Sequence, residues 1–252
     1  TAAYIAEAFI SITIAYLSYQ LLLGNKKVIY ASAIALGLAG GIRQTAEILL
    51  LPLWCFTLVC QKKIYHKKEL IAAMGLLIGS TLAWYLPTIW LNGGWQEYSQ
   101  ATYILWRGMV QGSSIFFGAN LSFLHRLSNR VQVWILMDLH LFHFLLLGYL
   151  LLNREKILSI ASWEGKKILF LAIWILSPLT FYLCFHLPKE GYLLTFLPAV
   201  YITFSYLAVN LAIRINNLIR FINPHWFISI FLVYCLVKDL GAFLYPGYPQ
   251  FQ

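Results

Sequence analysis

The feature that most constrains this chain is a repetition of apolar runs, each of about 20 residues, separated by short links that carry most of its charge. Hydrophobic residues make up 61% of the 252 residues and charged residues only 11%, whereas a soluble domain has about a quarter charged residues. A chain with so few polar groups needs lipid around it, where a helix satisfies its own backbone hydrogen bonds. The sequence therefore predicts an all-α, polytopic transmembrane helix bundle, with a single membrane domain over residues 1–252.

The lengths of the runs predict about eight spans. A helix that crosses the hydrocarbon core needs about 20 apolar residues, with a range of about 17–25. The run over residues 28–60 is too long for one span, and Gly40-Gly41 interrupts it, so it is interpreted as two shorter helices. The predicted spans cover residues 4–23, 28–41, 45–60, 70–91, 131–152, 168–185, 192–212 and 226–245.

The basic residues predict the orientation of these spans. Of the 18 Lys and Arg residues, 12 lie in alternate links, which the positive-inside rule makes cytoplasmic. They are Lys26, Lys27, Lys62, Lys63, Lys67, Lys68, Arg154, Lys156, Lys166, Lys167, Arg214 and Arg220. This distribution favours membrane orientation over nucleic-acid binding as the cause of the net charge of +9.

The segment 92–130 is then extracytoplasmic. Residues 94–117 mix aromatic and polar side chains, which is typical of an amphipathic helix that lies along the membrane surface. Its aromatic side faces either the bundle or the lipid.

Two polar islands at predicted extracytoplasmic ends contain the main candidates for chemistry. Charge near membrane depth is costly without a partner, and Arg43 has Glu47 four residues later, so the two could pair on one helix face. Alternatively, Arg43 binds an anionic ligand, because its planar fork suits phosphate. In the second island, Lys189 could hold a phosphate with His186 or Tyr192 as hydrogen-bond donors, or the segment is a polar turn with an aromatic interface anchor.

Other polar residues have weaker patterns. Asp138 and His140 lie with His143 on one predicted span, where such residues either bind a metal or satisfy each other inside the bundle. The four cysteines have no paired spacing, so neither a disulfide framework nor a metal site is expected from them.

Several of these segments resemble a family. Residues 173–182 read IWILSPLTFY and continue through His186 to GYLLTFLP at 191–198. The sequence GIRQ at 41–44 is followed by LLLPLW at 49–54, and residues 87–98 end a span before the long outer segment. Together they resemble the GT-C superfamily of membrane glycosyltransferases, in particular bacterial Rgt-like and protein-mannosyltransferase-like enzymes, over most of residues 37–199.

The resemblance implies transfer of a sugar from a polyprenyl-phosphate-linked donor to a lipid, glycan or protein acceptor. The reaction would take place at the extracytoplasmic face of a bacterial cytoplasmic (inner) membrane, with membrane lipids as further partners and no nucleic acid. No organic cofactor is implied, and a role for a divalent metal stays open. Two other classes remain as alternatives: a lipid or glycolipid transporter, and a non-catalytic membrane scaffold.

The resemblance also implies site residues. Donor phosphate and sugar would be bound by Arg43, Gln44, His186, Lys189 and Tyr192. Reserve candidates are Glu47, Arg107, Arg126, Arg130, Asp138 and His140. The acidic general base of the family belongs to an outer loop expected upstream of Thr1, so the chain is expected to be an N-terminally truncated fragment that is inactive alone.

Overall fold

The structure, a computed structural model, describes residues 2–114, 163–185 and 195–218, together with the isolated positions 123–125, 128, 229 and 233. Within these residues every regular element is helical. A short 3-10 turn at Lys26–Val28 follows the first helix. The α-helices are α1 (Ala2–Leu22), α2 (Ile29–Ile42), α3 (Gln44–Cys60), α4 (Lys67–Leu91), α5 (Trp95–Ser113), α6 (Trp163–Cys184) and α7 (Leu197–Leu218).

Three of the described helices are long and apolar enough to cross a membrane. They are Ile5–Leu22 in α1, all of α4, and Gly165–Tyr182 in α6. Helix α3 and the first half of α7, Leu197–Leu207, are shorter apolar helices. The predicted spans at 4–23, 70–91 and 168–185 are thus confirmed as helices of spanning length. The predicted spans at 131–152 and 226–245 lie outside the described residues, apart from two isolated positions, so the total of about eight remains a prediction.

Arg43 alone separates α2 from α3. Its backbone is extended, with φ −157° and ψ 120°, and its amide still donates to the Ala39 carbonyl, 2.9 Å away. Its own carbonyl accepts from the Ala46 amide at 2.9 Å, so one residue ends the first helix and begins the second. The predicted division of the 28–60 run into two helices is confirmed, with the break two residues beyond Gly40-Gly41.

The core is formed around α1, α2, α3 and α6. Helices α1 and α6 run antiparallel. Tyr19, late in α1, packs against Phe170, early in α6, with ring centroids 5.7 Å apart, whereas Ser11, earlier in α1, lies next to Trp174, later in α6. The fully buried Trp54 of α3 donates its indole N–H to Ser32 of α2 at 2.9 Å. Other core side chains with no exposure are Ile14, Leu21, Leu22, Leu36, Leu50 and Leu53.

Helix α4 packs on α2 through glycines. The Trp84 indole N–H donates to the Gly37 carbonyl at 2.8 Å, and the Trp84 ring covers Gly40 and Gly41. A tight turn follows α4, in which Gly93 and Gly94 have φ of +87° and +97°, a region that glycine adopts without strain. This turn redirects the chain into α5.

Two compact units divide the chain. Residues 1–139 and 158–201 form the first, and residues 140–157 and 202–252 form the second. The prediction of one membrane domain stays a prediction. All contacts described below belong to the first unit.

Candidate functional site

A buried ion pair joins α1 to the break between α2 and α3. The Glu7 side chain is fully buried, and its Oε2 lies 2.7 Å from Nη1 of Arg43, whose side chain is 24% exposed. The other carboxylate oxygen of Glu7 accepts from the Thr195 hydroxyl at 2.7 Å. A charge inside a membrane helix requires such partners, so the pair holds the break against α1 and against the residue that precedes α7.

Thr195 is held by its backbone as well as by its side chain. Its carbonyl accepts from the Ser11 hydroxyl and from the Trp174 indole N–H at 3.1 Å. The same indole nitrogen lies 3.3 Å from the Ser11 oxygen. The chain just before α7 is therefore hydrogen-bonded to both α1 and α6.

Tyr182 completes this group near the end of α6. Its side chain is 1% exposed, and its hydroxyl lies beside the side chains of Thr45 and Thr195, close to the charges of Glu7 and Arg43. The Glu7–Arg43 cluster is defined here as Glu7, Arg43, Thr45, Tyr182 and Thr195. Three distant parts of the chain contribute to it: Glu7, then Arg43 with Thr45, then Tyr182 with Thr195.

Helix α5 contacts the end of the bundle that contains the Glu7–Arg43 cluster. It does so once near its first residue and once just after its last residue. Near its start, the Tyr98 hydroxyl accepts from Gln44 Nε2 at 2.6 Å, and the Tyr98 ring packs edge-on against Tyr85 at 5.6 Å. Just after its end, the Ser114 hydroxyl donates to the Cys184 carbonyl at 3.3 Å. A helix of 19 residues is about 28 Å long, so α5 runs across this end of the bundle. The predicted helix is confirmed, and its position along a membrane surface stays a prediction.

The structure brings some of the predicted site residues together. Arg43 and Gln44 are adjacent at the break, and each reaches a different element. Glu47 lies one turn further along α3, where its Oε1 accepts from the Thr81 hydroxyl of α4 at 2.7 Å. Arg107 is exposed on α5. The ion pair of Arg43 is thus with Glu7, a partner that neither of the two sequence interpretations included.

The remaining predicted site residues fall where the structure describes nothing. They are His186, Lys189, Tyr192, Arg126, Arg130, Asp138 and His140. The segment 186–194 is nevertheless flanked closely by the Glu7–Arg43 cluster, since Tyr182 precedes it and Thr195 follows it directly. Convergence of Lys189 with Arg43 remains a prediction.

Sequence reasoning missed Glu7, although a signal for it exists. Glu7 is the only charged residue in the run 4–23, and a lone carboxylate in a span is a reason to search for a buried partner. Thr195 and Tyr182 had no comparable signal, because hydroxyl groups are ordinary in membrane helices. The bond from Thr195 to Glu7 joins residues 188 positions apart, which no local pattern indicates.

The electrostatics of the cluster limit what it can bind. Glu7 balances the charge of Arg43, so the pair offers directed N–H donors without a net positive charge. A phosphate bound at Arg43 would need a second cation to neutralise it in a medium of low dielectric constant. Among the described residues, no group of three or more His, Cys, Asp or Glu side chains is arranged to hold a metal ion.

Comparison with protein-family models, with curated proteins and with solved structures finds no match for this chain. The chemistry of the site is therefore argued from its own residues and contacts.

Proposed function

We propose that this chain belongs to a membrane glycosyltransferase that takes a sugar from a polyprenyl-phosphate-linked donor at the extracytoplasmic face of a bacterial cytoplasmic membrane. The observation that carries the proposal is that Glu7 joins Arg43 to Thr195 and Tyr182 lies beside them. The neighbouring Gln44 contacts α5 through Tyr98. Tyr182 and Thr195 flank the segment with His186, Lys189 and Tyr192. In this proposal the donor groups of that segment act together with Arg43 on one ligand.

The depth of the cluster supports a ligand at headgroup level. Glu7 lies 15 residues from Leu22 along α1, about 22 Å, and Leu22 is next to the lysine-rich links. The hydrocarbon core is about 30 Å thick, so the cluster lies near the boundary opposite those links. The positive-inside rule makes that boundary extracytoplasmic, where the phosphate of a lipid carrier would lie.

The proposed chemistry is stabilisation of the leaving group. Breaking the bond between sugar and phosphate builds negative charge on the polyprenyl phosphate, and fixed donors stabilise that charge strongly where water is scarce. Arg43 supplies such donors, held in place by Glu7. Lys189 supplies the second cation in this proposal, since it is four residues from Phe185 and within about 14 Å of it by chain length alone.

The remaining roles belong to the same proposal. His186 and Tyr192 act as hydrogen-bond donors to the phosphate, and Gln44 contacts the sugar or phosphate from its place beside Tyr98. Helix α5 covers the bound sugar. Glu7 is not the general base, because it is fully buried and both of its oxygens already accept hydrogen bonds.

Transfer from a labelled donor tests the proposal. Membranes containing the full-length protein are supplied with polyprenyl phosphates that bear a tritiated hexose or pentose, and label on acceptors is counted. Arg43→Lys keeps a cation beside Glu7 but loses the fork, so we expect transfer to fall about 100-fold, the usual effect of losing one fixed donor. Lys189→Ala is expected to lower transfer to a similar extent without altering the Glu7–Arg43 pair.

Arg214→Ala is the matched control, since it removes a cation that the sequence assigns to the cytoplasmic side; transfer should stay at the wild-type rate with equal protein in the membrane. If both site variants transfer as fast as wild type, the phosphate is bound elsewhere. If no donor loses its sugar but the intact donor crosses the bilayer, the protein is a transporter. If neither event occurs, the scaffold alternative holds.

A further inference from the structure

Eight lysines from three parts of the chain gather at the end of the bundle opposite the Glu7–Arg43 cluster. We define the lysine end by them: Lys26, Lys27, Lys62, Lys63, Lys67, Lys68, Lys166 and Lys167. The first two parts are in direct contact. Gln61, at the end of α3, donates to the Leu22 carbonyl at the end of α1, and a Cβ at Gly24 would lie 3.4 Å from the Ile64 side chain. The link after α1 therefore touches the link after α3.

The third part is the start of α6. The Lys166 ammonium lies close enough to Cys60, the last residue of α3, to act on its thiol electrostatically. Four residues further on, Phe170 packs against Tyr19 of α1. The Lys166-Lys167 pair therefore stands at the same end as the two links, although about 100 residues of sequence separate it from them.

The lysine end has few anionic groups to offset its charge. All the lysines of the two links are exposed, and those of α6 are partly exposed. Glu69 is occupied by local structure, since its Oε2 accepts from the His66 amide at 2.7 Å as part of a capping box at the start of α4. Glu164 is the other carboxylate of these segments. A surface with this excess of positive charge attracts anions.

We propose that the lysine end is a binding face for the headgroups of anionic phospholipids. Helices α1, α4 and α6, which are long enough to span, all begin or end there, so the lysines stand where lipid phosphates lie. Clusters of four to eight basic residues beside membrane helices bind anionic headgroups through several contacts at once. Lipid headgroups are also the anions present at high concentration at that depth, in contrast to a nucleic acid or an acidic protein.

Tyr65 adds a neutral donor to this face. Its side chain is 6% exposed, and its hydroxyl has no hydrogen-bond partner among the described residues. Burial raises the pKa of this phenol, and the nearby Glu69 carboxylate raises it further, so the hydroxyl keeps its proton. Its oxygen is enclosed by protein, so only a shift of this link on lipid binding would bring a phosphate oxygen to it.

Lipid titration of the protein purified in a neutral detergent tests the proposal. Phosphatidylglycerol or phosphatidylcholine is added, and the melting temperature is followed by tryptophan fluorescence, since a ligand of the native state raises it. We expect phosphatidylglycerol alone to raise it, and about 0.5 M NaCl to abolish the rise because salt screens exposed charges. An equal rise with both lipids, or a rise that salt does not change, would overturn the proposal; this arm requires no variant to fold.

A matched pair of variants locates the face. Lys62→Gln/Lys63→Gln/Lys166→Gln/Lys167→Gln should weaken the apparent affinity for phosphatidylglycerol at least about tenfold, because several headgroup contacts are lost. The same four positions changed to Arg keep the charge and should bind as wild type does. If the Gln variant binds as tightly as the Arg variant, the lysines are not the site. Binding of an acidic peptide or an oligonucleotide in preference to the lipid would also reject it.

Discussion

At the scale of single residues, the Glu7–Arg43 pair is asymmetric in its surroundings. Glu7 has no contact with solvent, whereas about a quarter of the Arg43 side chain is exposed. Removing one member of a buried pair leaves the other charge uncompensated, and the cost follows the burial of the charge that remains. The two halves of this pair should therefore respond differently to substitution.

Arg43→Gln leaves the carboxylate of Glu7 buried without a cation and should lower the free energy of unfolding by about 3 kcal/mol. Glu7→Gln leaves the charge of Arg43, whose side chain is 24% exposed, and should lower the free energy of unfolding by about 1–2 kcal/mol. The double variant should lose less than the sum of the two single variants. Thermal unfolding of the detergent-solubilised protein, followed by tryptophan fluorescence, measures all three. Losses that simply add would show that the two side chains are not energetically coupled.

At the scale of helices, the close approach of α2 and α4 depends on glycine. A Cβ at Gly37 would lie 2.6 Å from the Leu77 carbonyl oxygen and 3.0 Å from the Thr81 amide nitrogen. Both are backbone atoms of α4, which cannot turn away as a side chain can. On α4 itself, a Cβ at Gly75 or Gly79 would meet no heavy atom of the described structure within 4 Å. Replacing glycine by alanine is therefore expected to destabilise the helix pair at Gly37 and to be tolerated at Gly75 or Gly79.

Gly37→Ala should lower the free energy of unfolding by about 1–3 kcal/mol, because α4 must move outward to accept the methyl group. Gly75→Ala is the matched control and should change it by no more than about 1 kcal/mol, in the stabilising direction, since alanine favours helix more than glycine does. Melting temperatures of the two variants, measured in one detergent, provide the comparison. Equal destabilisation of both would contradict the tight α2–α4 contact.

The helices show what could be predicted from the sequence. The described helices of spanning length were predictable because hydrophobic length has one dominant solution in lipid, and the break near Gly40-Gly41 was predictable because the run is too long for one crossing. The polar contacts were not. Arg43 has a carboxylate four residues away in Glu47, yet its ion pair is with Glu7, 36 residues earlier, because the packing of α1 against α3 determines which carboxylate is within reach.

At the scale of the whole first unit, the charge is divided between two ends. The lysine end lies at one end of the unit. The Glu7–Arg43 cluster, with α5 across it, lies at the other. Along α1, Glu7 and Leu22 are about 22 Å apart, and the lysines come after Leu22, so most of the about 30 Å of the hydrocarbon core separates the two ends. A membrane of ordinary thickness can therefore place each end at a different interface.

Accessibility of introduced cysteines tests this arrangement. In a background where Cys55, Cys60, Cys184 and Cys235 are alanine, Lys63→Cys and Gln96→Cys are treated with a membrane-impermeant maleimide. We expect Gln96→Cys to react in right-side-out vesicles and Lys63→Cys only in inverted ones, because both side chains are exposed and the positive-inside rule predicts that the lysine-rich links are cytoplasmic. Ile78→Cys is the control within α4, which should react from neither side. Labelling of Lys63→Cys and Gln96→Cys from the same side of the membrane would refute the arrangement.

The Glu7–Arg43 pair has a consequence for biosynthesis. The ribosome makes Glu7 36 residues before Arg43, which is about 2–7 s at ordinary elongation rates. During that interval α1 carries a carboxyl group whose cation has not yet been made. Because Glu7 lies near one boundary of the membrane, its insertion costs less than the about 3 kcal/mol of a charge at mid-helix, so α1 is expected to insert first and to gain its ion pair when Arg43 emerges.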